Sequence, residues 1–284
     1  MSNPSTNPLA KHFRQPGIYL TLPSSGHYWP DGTLELTMNN QIAVYPMTTR
    51  DEITIRTPDA LLNGQSVVDI IQSCCPQIKD AWQCPSVDID SILVAIRIAS
   101  YGQNMDVDTV CPNQECKHEN RHSLDLTGVL DSIGQPNFDR TLDINNLKIK
   151  LRPASYQNST KTNIANFEEQ RILQLVQNEN IPDDEKMKQF NSHLQKMVGI
   201  NLDIIASATE YIETEDGTRV KDQTFIRDFY DNCDNKIIKA IRDRFDQAMK
   251  MVALPQPKVR CEECNTDYPV EIKFDYANFF ESAS

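Results

Sequence analysis

Two short cysteine pairs constrain this chain more than any other feature: Cys111 and Cys116 within CPNQEC, and Cys261 and Cys264 within CEEC. A tetrahedral structural zinc is satisfied by four thiolates, and two tight turns can each supply two sulfurs while aiming backbone N–H groups at them. The pairs stand 145 positions apart, 261 less 116. One zinc holding all four cysteines would therefore tie distant segments together and contribute directly to folding. The CEEC spacing is the familiar one, whereas the four residues between Cys111 and Cys116 make a looser turn. An iron–sulfur cluster also takes four thiolates, but its usual spacings are not matched here.

The first pair overlaps a competing pattern. His118-Glu119-Asn120-Arg121-His122 reads as HExxH, in which two histidines one helical turn apart bind zinc and the glutamate activates a metal-bound water. That metalloprotease reading needs a helix. The motif follows a Cys-Pro turn and precedes SLDL, and Lys117, Asn120 and Arg121 leave a helix there without an apolar face. The strand reading NRHSLDL fits better, and YPVEIKF is the corresponding strand after the second pair. His118 is left as a solvated turn residue, a replacement ligand or a hydrogen-bond donor to sulfur.

Composition bounds the rest. With 40 acidic against 28 basic residues and a net charge of −12, the chain opposes the basic footprint that phosphate contacts need, so nucleic acid is not the expected partner. No apolar run reaches the roughly 20 residues of a spanning helix, and MSNPSTNPLAKHFRQP lacks a signal-peptide core, so no membrane partner and a cytosolic origin are expected. In that compartment eight cysteines are expected to be reduced or metal-bound. Cys74, Cys75, Cys84 and Cys233 read as buried free thiols rather than a redox device. His12, His27 and His193 have no evident partners, and neither a phosphate loop nor a GxSxG nucleophile turn is present.

Along the chain, residues 1–16 are polar and proline-punctuated, an extended arm without a core of its own. GIYLTLP, LELT at 34–37 and QIAVYP at 41–46 read as short strands joined through Asp31-Gly32 and Asn39-Asn40. Thr49 is placed to cap a helix ending near Pro58, and Ser66 to cap SVVDIIQSC. A helix from about Asp88 carries Ile89, Ile92, Leu93 and Ile96 on one face and meets Gly102 at its end. NLKIKLRP at 146–153 reads as a strand. A helical block follows, including NIANFEEQRILQLVQ, a long segment from the acidic run at Asp183, a hairpin at Glu215-Asp216-Gly217, and a last helix with Ile237, Ile238, Ile241 and Phe245 on one face. The aromatics Phe274, Tyr276, Phe279 and Phe280 close the chain, either on its own core or against a partner.

VYPMTTRDEITIRTPDALLNGQSVVDIIQSCCPQIKDAW, then DIDSILVAIRIASYG and a Cys-Pro turn, and the ending with CxxC, a strand and FDYANFF, resemble the baseplate hub family of T-even-like contractile-tailed bacteriophages. The resemblance covers residues 9 to about 126 and roughly 258 to 280. It implies a structural component of the tail baseplate hub or a factor for its assembly, located in the virion tail and in the host cytoplasm during assembly. It further implies other hub and tail proteins as partners in a symmetric, multi-copy particle. No catalytic residue comes with it. Asp51, Glu52, Thr57, Pro58, Gly64, Arg97 and Gly102 are read as helix caps, turn residues and a charged pair of the first domain.

The expected fold class is α+β: small β elements with helices, a split zinc-ribbon-like unit and a large helical insertion. The expected organisation is an arm at 1–16, an α+β domain at 17–110, a split β unit at 111–152 and 252–284 holding zinc on Cys111, Cys116, Cys261 and Cys264, and the insertion at 153–251.

Overall fold

A computed structural model describes residues 8–56, 64–161, 183–272 and 279–280. Within these residues the chain is α+β, with helices set among small antiparallel sheets. Strands β1 (Ile18–Leu20) and β2 (Ile42–Val44) pair directly, Tyr19 opposite Ala43. The LELT segment between them is not a strand. Leu34 makes only an isolated bridge to Ile78, and Thr37 folds back on Gln41, so the segment leaves the sheet edge to cover the core.

Helix α1 (Thr49–Ile55) is capped by Thr48 rather than Thr49, because Asp51 three residues after Thr48 completes a reciprocal capping box. Asp51 also receives Arg14, at 3.5 Å, and the Ser73 hydroxyl, at 3.1 Å. Arg14 donates in addition to the Pro46 and Ser73 carbonyls, at 2.7 Å each. One half-buried arginine thus ties the chain entering the fold to three segments, and it is Arg14, not Arg97 among the residues expected to form a charged pair, that meets Asp51. Arg97 instead lies over the Tyr101 ring at 4.7 Å, and the Tyr101 hydroxyl donates to Glu52 at 3.0 Å.

Helix α2 (Gln65–Cys74) starts from Gly64, whose φ of +78° and close approach to Thr160 leave no room for a Cβ. Ser66 is not the cap; its hydroxyl donates to the Thr54 carbonyl and links α2 to α1. Helix α3 (Ser86–Tyr101) begins two residues before Asp88 and ends at Gly102 with φ +90°. It is buried on most of its circumference, with Ile92, Leu93, Val94, Ala95 and Ile96 all in the first core. Thr57, Pro58, the 163–177 segment, Phe274, Tyr276 and the His193 side chain lie outside the described residues.

Asp88, on the first turn of α3, is buried and accepts from the Ser24 N–H at 2.8 Å, the Ser24 hydroxyl at 2.5 Å and the Trp29 indole N–H at 2.8 Å. Burial pushes its carboxyl up to about 6 although these bonds act against the shift. The folded state therefore binds this proton more tightly than the unfolded chain. Its contribution is full at low pH and is lost as pH rises from the unfolded value toward about 6. The stability difference between wild type and Asp88→Asn should change by about 2 kcal/mol between about pH 4 and about pH 7, from 1.36 kcal/mol per unit and the part of the shift that this range spans. Urea midpoints across that range measure it, and a difference that stays constant with pH rules the linkage out.

Strands β3 (Asn104–Val110) and β4 (Glu119–Asp125) form a hairpin, followed by the short helix α4 (Leu126–Asp131). Strands β5 (Leu142–Ile144) and β6 (Leu147–Leu151) turn through Asn145 and Asn146, both with positive φ, as a two-residue hairpin requires. After α5 (Asp183–Ser207), strands β7 (Thr209–Glu213) and β8 (Arg219–Val220) complete a four-stranded sheet in the order β5-β6-β7-β8. Gly217 sits in the expected turn with φ +85°. Helices α6 (Gln223–Asn232) and α7 (Asn235–Val252), capped by Asp222 and Asp234, lay Ile226, Tyr230, Ile237, Ile238 and Ile241 into a second core with Ile149, Leu151 and Ile212 of the sheet. The last described strands form a hairpin of β9 (Lys258–Arg260) and β10 (Asp267–Pro269), and Phe279 and Phe280 are buried in the first core.

Candidate metal centre

Each cysteine pair occupies the tip of one hairpin. β3 and β4 pair from Asn104 opposite Asp125 to Val110 opposite Glu119, and Cys111 and Cys116 lie in the connecting loop. β9 and β10 pair Arg260 opposite Asp267, with Cys261 and Cys264 in theirs. The two loops close in the same way. Cys111 N–H donates to the His118 carbonyl and Cys261 N–H to the Thr266 carbonyl, both at 2.9 Å, the acceptor in each case standing two residues beyond the second cysteine. Lys117 and Asn265, directly after that cysteine, both take positive φ, 49° and 56°.

The sulfurs are reached by equivalent backbone donors. The N–H groups of Asn113 and His118 serve Cys111 and Cys116, and those of Glu263 and Thr266 serve Cys261 and Cys264. The two extra residues of the first loop are taken up by a local turn in which Asn113 Oδ1 accepts from the Glu115 N–H at 3.1 Å. The looser spacing thus leaves the knuckle geometry unchanged.

All four sulfurs lie within 4.8 Å of one another, and none of the eight cysteines is in a disulfide. Cys111 and Cys264 sulfurs are 3.6 Å apart and those of Cys116 and Cys261 3.8 Å. A tetrahedron with Zn–S bonds of about 2.3 Å has edges of about 3.8 Å, so the donor set fits zinc in type and number and these two separations fit its edges. Desolvation pushes the Cys111 thiol up to about 12. Cys264 is held down at about 6 by the Thr266 hydroxyl and N–H, and Cys261 is held below its ordinary value first by the Cys264 N–H. A bound dication favours the thiolate at every such sulfur.

The HExxH stretch lies along β4 and not on a helix. His118 and Glu119 are exposed at its start, and residues four apart in an extended chain stand about 13 Å from each other, so two histidines at this spacing do not converge on one metal. The part of the stretch that reaches the cysteines is Asn120, 3% exposed, which contacts Cys261 and Tyr268. The Tyr268 hydroxyl also meets Thr109 Oγ1 at 2.7 Å and His122 Nε2 at 3.2 Å. This polar seam between the hairpins has no sequence signature beyond its position inside a misleading motif. The environment favours the protonated form of the remaining thiols: burial pushes Cys74 up to about 12, raises Cys75 and Cys84 far above the ordinary value, and raises half-buried Cys233.

Two hairpin tips converging on four sulfurs, joined to an α+β body, define a protein with a cross-linking cysteine centre. The chain belongs to the family described as T4 bacteriophage base plate protein, which matches residues 18–281. No curated protein and no solved structure gives a match. Among the described residues no helix is long and apolar enough to cross a membrane.

Proposed function

We propose that this chain is a structural component of the phage tail baseplate hub, or a factor for its assembly, with zinc bound by Cys111, Cys116, Cys261 and Cys264. The family match over residues 18–281 carries the baseplate reading, and the four convergent sulfurs support the metal. The role proposed is architectural rather than catalytic: zinc with four cysteine ligands has no open position for water or substrate. Its partners are other hub and tail proteins of a contractile tail, in a multi-copy symmetric assembly, and neither nucleic acid nor membrane. The acidic balance, 40 residues against 28, supports the exclusion of nucleic acid.

The proposed organisation keeps the arm at 1–16, the α+β domain at 17–110 and the split β unit at 111–152 and 252–284 around the insertion at 153–251. One adjustment applies: β5 and β6 go with the insertion, because β6 pairs with β7.

Mass spectrometry of purified mature particles tests the structural role. The chain is expected in fixed stoichiometry with the other baseplate proteins. Its absence from mature particles, with presence in assembly intermediates, would assign it to assembly alone, and absence from both would overturn the baseplate reading.

A further inference from the structure

Asn120 joins the two halves of the cysteine centre through a single amide. Its Oδ1 accepts from the Glu262 backbone N–H at 3.0 Å. Its Nδ2 faces three acceptors, the His118 carbonyl at 3.0 Å, the Tyr268 hydroxyl at 3.2 Å and the Cys261 sulfur at 3.7 Å. The Glu262 N–H fixes which end of the amide carries oxygen, since the flipped orientation would set two donors together there and an oxygen against the carbonyl and the sulfur. Aspartate has the same shape but no donor, and leucine satisfies neither Glu262 nor His118. The position therefore calls for an amide.

We propose that Asn120 is the positioning residue of the metal centre: from the first hairpin it holds the Cys261 sulfur and the CEEC turn of the second in ligating geometry. This rests on the zinc reading above. Both hairpins already orient their own sulfurs through backbone N–H groups, but those bonds are local to each loop. Asn120 is the side chain that reaches a ligand sulfur across the seam, 141 residues away in sequence. Tyr268 and Thr109 bridge the same seam without touching a sulfur by hydrogen bond.

The test uses the full chain with zinc bound, mixed with excess chelator, and the cobalt-substituted chain read by absorption. Asn120→Asp is expected to release zinc about 10- to 100-fold faster than wild type, the usual effect of losing a group that orients a ligand. Its thiolate-to-cobalt charge-transfer band should move to longer wavelength, because a sulfur that loses a hydrogen bond gives up charge more readily. Tyr268→Phe, which loosens the seam but leaves the amide–sulfur contact, should release zinc within about twofold of wild type and keep the band in place. If Asn120→Asp does not fold with zinc present, Asn120→Ser, too short to reach Cys261, takes the same measurements. Unchanged release and spectrum in the Asn120 variants, or an equal effect from Tyr268→Phe, overturns the positioning role while leaving the zinc site standing. A wild-type chain that holds no zinc overturns both.

Discussion

Serine at both Cys261 and Cys264 is expected to remove the metal completely and to cost the chain several kcal/mol, because neither hairpin tip retains a usable site alone. Bringing Cys116 to Cys261 closes a loop of 145 residues, at an entropic cost of roughly 4 kcal/mol. The hairpin β9–β10 has only three residues in each strand, and a two-stranded ribbon of that size is marginal without a partner. Coordination of the proposed metal would add to the burial of Tyr268, Val270, Ile272, Phe279 and Phe280 in the first core in offsetting the closure. Elemental analysis should fall from one zinc per chain to none, and hydrogen exchange should accelerate in β3, β4, β9 and β10 while the amides of α3 stay protected. Zinc retained by the double variant removes the four-cysteine assignment, and iron in place of zinc removes the zinc assignment.

Phe138→Ala is expected to cost about 3–5 kcal/mol, the range for deleting a buried aromatic side chain. Phe138 is 1% exposed and meets the Tyr28 ring edge-on at 5.8 Å and the Phe245 ring at 5.6 Å. Those rings come from the loop after β1 and from α7, so the cavity would open where the first domain meets the helices of the insertion. Phe225, on α6 but 67% exposed, provides the control: alanine there should change stability by no more than about 0.5 kcal/mol. Urea unfolding of both variants decides the matter, and a loss below about 1 kcal/mol for Phe138→Ala would mean that the site collapses around the deletion.

What the sequence revealed depended on how strongly each residue was committed locally. The periodicity of Ile89, Ile92, Leu93 and Ile96 and the glycine at 102 marked α3 because core burial and a left-handed cap leave few alternatives. Ile237, Ile238 and Ile241 marked α7 for the same reason. The capping error at α1 was between neighbouring threonines, and the spacing from Thr48 to Asp51 was the signal that distinguishes them. Strand β3 escaped notice because its inward residues, Met105, Val107 and Thr109, are only half-buried and its outward ones include Asp106 and Asp108, which carry low strand propensity. LELT alternates like a strand, but Leu34 and Leu36 pack on the first core from a loop, so burial rather than pairing explains the pattern. At the cysteine centre the two turns whose sulfurs converge were legible from spacing. Asn120 was not, since its role depends on Glu262 and Cys261, which sequence alone does not place beside it.

The shared closure of the two knuckles has a consequence in time. Ribosomes add about 5–20 residues per second, so the tip carrying Cys111 and Cys116 waits on the order of 10–30 seconds before its counterpart is synthesised. During that interval β5 to β8 and α5 to α7 emerge in order and can pack on one another, since their contacts do not require the last hairpin. The four-sulfur centre is therefore completed last. Tyr268, Val270, Ile272, Phe279 and Phe280 complete the first core at the same late stage, so if the proposed metal is bound, its supply would bear on the last step by which the nascent chain is finished.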